Sequence, residues 1–123
     1  MADREDEILH ALAHGISVTY SLMVEVCEAL PVPISLPSDR HIPVANAVPA
    51  IQRAAALAKD QPMSESQEAH LYYGCVYLLA SIDLYALTAS RYEETRAEAV
   101  GANLAQSETH LKALLVSLLT NDG

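Results

Sequence analysis

Apolar residues recur along this chain at intervals of three and four, the spacing of helices that bury one side. The densest run is 71–87, LYYGCVYLLASIDLYAL, where Asp83 is the one charge in seventeen residues. Two seams run along it. Leu71, Cys75, Leu78, Ile82 and Tyr85 form one; Tyr73, Tyr77, Ala80, Leu84 and Leu87 form the other. Each keeps the 4-3 rhythm of a helix packed on more than one side. The run therefore predicts the central helix of an all-α protein.

The rest of the chain fits around it. Residues 4–30 predict a first helix with the seam Leu9, Leu12, Ile16, Thr19, Met23, Val26, Leu30. Asp3 is its expected N-cap, and Glu5, Asp6 and Glu7 place negative charge in the first turn, where the helix dipole favours it. Gly15 and the β-branched pair Val18 and Thr19 weaken the middle, so a break near Gly15 is considered. Residues 31–43 hold four prolines in thirteen positions, which ends that helix. Val32, Ile34, Leu36 and Ile42 give this connector apolar anchors, and a short strand at 32–36 is the lesser alternative.

A short second helix is expected over 47–60, capped by Asn46, with Pro49 in the first turn. Ser64 and Gln67 form a capping box that opens the central helix, which should end near Ala89. Ser90 and Glu93 match a second box, so a tight turn is placed at Thr88–Arg91 rather than one helix over 64–119. The last helix covers 91–119, with the seam Val100, Leu104, Ser107, Leu111, Leu114, Leu118 and a small-residue strip of Ala97, Gly101 and Ala105. The expected fold is one domain, 1–123: a compact bundle of three long helices and one short one, with antiparallel neighbours and the Pro-rich connector between helices 1 and 2.

Composition narrows the function classes. Half the residues are apolar, which suits a folded core. The net charge of -9 repels phosphate backbones, and the five arginines and two lysines are scattered, so no nucleic acid is expected as a direct partner. The acidic start MADREDE has no apolar targeting segment behind it, and 71–87 is short for a membrane span; a cytoplasmic protein is expected, with no membrane. Cys27 and Cys75 both sit on apolar seams and read as free buried thiols.

Candidate chemistry is sparse. Glu7-x-x-His10 matches half of a di-iron ligand pair, but Gln67-x-x-His70 lacks the bridging carboxylate. His10 and His14 are four apart on an exposed face. No metal, no cofactor and no catalytic residue is assigned, and a glycine-rich phosphate loop is missing from the pattern. Asp83 reads as a surface residue near Arg91 or Arg53. The tyrosines of the central helix point in too many directions for one small core, and buried hydroxyls need partners.

The leading expectation is a small acidic non-enzymatic protein that acts through protein contacts, in an accessory, regulatory or inhibitory role. Its expected partner is itself, as a homodimer, or another protein with a basic surface. The interface candidates are Tyr73, Tyr77, Leu84, Leu87, Leu111 and Leu118. One alternative is a small-molecule-binding or enzymatic bundle with a pocket at His70, Tyr73, Tyr77 and Asp83. A second is a nucleic-acid-associated regulator reading through Arg53 and Lys59.

Overall fold

The computed structural model describes residues 3–38 and 44–120. It is helical over 86% of them, with four helices: α1 Asp3–Ala29, α2 Val48–Leu57, α3 Glu65–Ser90 and α4 Glu94–Thr120. Single 3-10 turns flank α2 at Val44–Ala47 and Ala58–Asp60. Among the described residues there is no strand, so the minor expectation of one at 32–36 is not met.

Asp3, the expected N-cap, is already helical as the first described residue of α1. The helix also runs unbroken through Gly15. A Cβ there would lie 3.1 Å from Leu104 Cδ1, so this glycine permits a close approach of α1 to α4. Arg4 pairs with Glu94 near the start of both helices, at 3.5 Å. Together these contacts make α1 and α4 run parallel, while α3 is antiparallel to α4.

The connector is anchored as its apolar residues suggest. Ile34 and Leu36 are buried, whereas Val32 is exposed. The Ile34 N–H donates to the Cys27 carbonyl at 3.0 Å. The Gln61 side chain accepts from Val32 N–H at 3.0 Å and donates to Val32 C=O at 2.7 Å. The Tyr20 hydroxyl donates to the Pro37 carbonyl. Ile42 lies outside the described residues.

Two expected caps do not form. Asn46 sits inside a 3-10 turn, and the residue before α2 is Ala47, with no side-chain cap bond. Pro49 then serves where its missing N–H is harmless. Ser90 is the last residue of α3 rather than a cap for α4; the break falls at 91–93, and the first bond of α4 runs from Ala97 N–H to Glu93 C=O. The Ser64–Gln67 box does form, with reciprocal bonds of 3.1 Å each.

The core gathers Met23, Val26 and Cys27 from α1, Ile51 and Ala54 from α2, Leu71, Cys75 and Leu78 from α3, and Val100, Leu111 and Leu114 from α4. Each of these has essentially no exposure. The small-residue strip of α4 does not work as expected: Ala97 is buried, but Ala105 is exposed and Gly101 has open space around it.

Candidate functional site

The two seams of α3 meet different fates. Leu71, Cys75, Leu78 and Ile82 go into the core, with Tyr85 half-buried at its edge. The other seam lies on the outer side of the bundle, along the groove with α4. Tyr73 and Leu87 are exposed, at 46% and 55%, while Tyr77, Ala80 and Leu84 are half-buried. Ala69, Tyr72 (46% exposed) and Val76 widen this face. It carries one charge, Asp83, over nearly the whole helix.

Its N-terminal half is an aromatic cluster shared with α4. Ser107 Oγ donates to the Gly74 carbonyl at 2.7 Å, which fixes the register of the two helices. Four residues before Gly74 and three after Ser107, the helices bring His70 opposite His110, their Nδ1 atoms 3.0 Å apart. One nitrogen must donate and the other accept, so the two rings hold opposite tautomers at Nδ1. Tyr77 stacks on His110 at 5.8 Å and 9°, and Tyr73 lies tilted beside the same ring at 5.7 Å. Tyr72 meets Tyr73 edge to face at 5.5 Å. Burial, and then the neighbouring His70, hold His110 below the usual histidine range: the first disfavours a charged ring, the second a like charge beside it.

Of the pocket residues named from the sequence, His70, Tyr73 and Tyr77 come together. Asp83 does not join them: it is exposed, beyond Tyr77 along α3, with no ion pair to Arg91 or Arg53 among the described residues. His110 was missed, since its spacing on α4 reads as a wet position. Of the interface candidates, Leu111 has no exposure and packs beneath Gly74, so it belongs to the core; Leu118 is half-buried. A cleft of about 560 Å³ adjoins this face between α2 and α3, walled by Lys59, Glu65, Glu68 and Tyr72 over alanines 55, 56, 58 and 69.

Other candidate chemistry stays dispersed. Glu7, His10 and His14 are exposed on α1, and no group of three or more metal-ligating side chains occurs among the described residues. Cys27 and Cys75 are free and buried, each 3.9 Å from Met23 Sδ. Burial above all pushes the Cys27 thiol up to about 12, and raises Cys75 as well. A thiol so held from ionising is not a nucleophile at neutral pH.

Comparison with known protein families, curated proteins and solved structures found no match.

Proposed function

We propose that this protein is a non-catalytic helical module that works through protein contacts, and that its first partner is a second copy of itself, paired through the outer face of α3. The observation that carries this reading is the second seam of α3, an apolar strip with heptad-like spacing that its own bundle leaves uncovered around Tyr73 and Leu87. Helices with such a seam pair side by side, knobs into holes, and twofold dimers are the commonest closed assembly.

Charge favours a second copy over other occupants. Two chains of net charge -9 meet best where charge is absent, and this strip holds only Asp83. A basic protein would seek carboxylates, which cluster elsewhere, on α1 and at the starts of α3 and α4. By length and composition α3 could cross or lie on a bilayer, but it contains no Lys or Arg to meet anionic headgroups. The nucleic-acid alternative has less support, because Lys59 shares its cleft with Glu65 and Glu68.

Tyr73→Asp and Leu87→Asp test the face. Both residues are exposed in the single chain, so each variant should keep its helical circular dichroism while losing self-association on light scattering, since a charge would enter a desolvated centre. Variants that associate as the parent does would remove this face from the account.

A further inference from the structure

The aromatic cluster supplies more than contact area. His70 and His110 hydrogen-bond through Nδ1 across the α3–α4 groove, at the edge of the strip proposed for pairing. With one nitrogen donating and one accepting, the neutral pair is satisfied. A first added proton goes to the outer Nε2 of the donor ring. That leaves the bond intact and makes it charge-assisted. A second proton has no such place. It must occupy the accepting Nδ1, so two N–H groups, both on cations, would face each other at 3.0 Å. The rings must then part. Tyr77 is stacked on His110 and Tyr73 leans on it, so both move with that ring.

Among the described residues no carboxylate pairs with either ring. The groups facing the pair are the phenols of Tyr73 and Tyr77 on α3. On α4 the nearest charges in sequence, Glu108 and Lys112, close on each other at 2.7 Å. From α1 and α2 no ion pair or hydrogen bond reaches either ring among the described residues.

We infer that the His70–His110 pair is a proton-operated latch on the α3–α4 groove: closed with no proton or one, parted by a second, and so coupling mild acid to weaker self-association through Tyr73 and Tyr77. This rests on the pairing of two copies proposed above. It adds a regulation that apolar burial along the strip would not have by itself.

The test compares the parent with His110→Gln, which can still bond a neutral His70 but cannot take the second proton. Sedimentation equilibrium is run at pH 7.5 and pH 5.5, where most carboxylates stay ionised. In parallel, NMR follows the histidine ring protons of both proteins through the same range. At pH 5.5 the parent should shift towards the single-chain mass, with two separated steps in the ring signals of the pair. His110→Gln should show little change in mass and a single step at His70. A parent dimer indifferent to pH, or the same weakening in His110→Gln, would overturn the latch and leave the dimer standing. If the parent is monomeric at both values, the pairing fails instead, and the latch is decided by the NMR arm: two separated steps keep it, and two coincident, ordinary ones end it.

Discussion

Gly74 and Leu111 compete for one volume. A Cβ built on Gly74 would stand 2.6 Å from Leu111 Cδ2 and 2.9 Å from its Cγ, and Leu111 has no free space, being fully buried. The missing side chain is what lets α4 cross α3 closely enough for Ser107 to bond the Gly74 carbonyl.

Gly74→Ala should therefore destabilise the fold. Alanine gains about 1 kcal/mol of helix propensity over glycine, but overpacking a filled core costs about 1–3 kcal/mol. A net loss of up to roughly 2 kcal/mol in urea unfolding is expected. Gly101→Ala is the contrast. A Cβ there meets nothing within 4 Å, so propensity acts alone and the variant should gain about 0.4–1 kcal/mol. Equal effects from the two changes would mean that the groove is not set by Gly74.

Gln61 ties the connector to the bundle through both backbone groups of Val32. Its replacement by Ala removes two hydrogen bonds, each worth about 0.5–1.5 kcal/mol. A loss of roughly 1–3 kcal/mol is expected, with faster proteolysis within 31–38 as the specific readout. An unchanged cleavage rate would show that Ile34 and Leu36 hold the connector without it.

The thiols give an alkaline prediction. Cys27 is raised from 9.0 to about 12 in the folded chain, chiefly by burial, so the folded state keeps a proton that the unfolded state releases. Its contribution to stability is whole below about pH 9 and is lost as the pH climbs from there towards 12. A thiol reagent at pH 8 should label neither cysteine in the native protein and both in urea. Rapid native labelling would contradict the burial of these two groups.

Much of the fold is written locally. The spacing of Ile16, Met23, Val26 and Leu30 finds α1, and Ser64 with Gln67 marks where α3 starts. Local signals failed where two residues offered the same chemistry. Asn46 and Ser90 both look like caps, but the chain is already helical at each, so neither side chain meets a free helix end. The candidate site was harder because it depends on register. Spacing shows two equivalent seams on α3 and cannot say which one the bundle covers. His70 and His110 are forty residues apart, and only the Gly74–Ser107 contact places them together. The one available signal was that pair of small residues, each within four positions of a histidine on helices expected to be antiparallel. Leu111 shows the reverse error: besides its place on the α4 seam it stood among the interface candidates, but Gly74 makes room to bury it.

The central claim is that the uncovered seam of α3 pairs with a second copy, and sedimentation equilibrium over a tenfold concentration range tests it most directly. The account predicts a species of twice the 13.3 kDa chain mass at pH 7.5. It also predicts that Tyr73→Asp, with unchanged helix content, shifts the population to the single-chain mass. A parent protein that stays at 13.3 kDa across the whole range would contradict it.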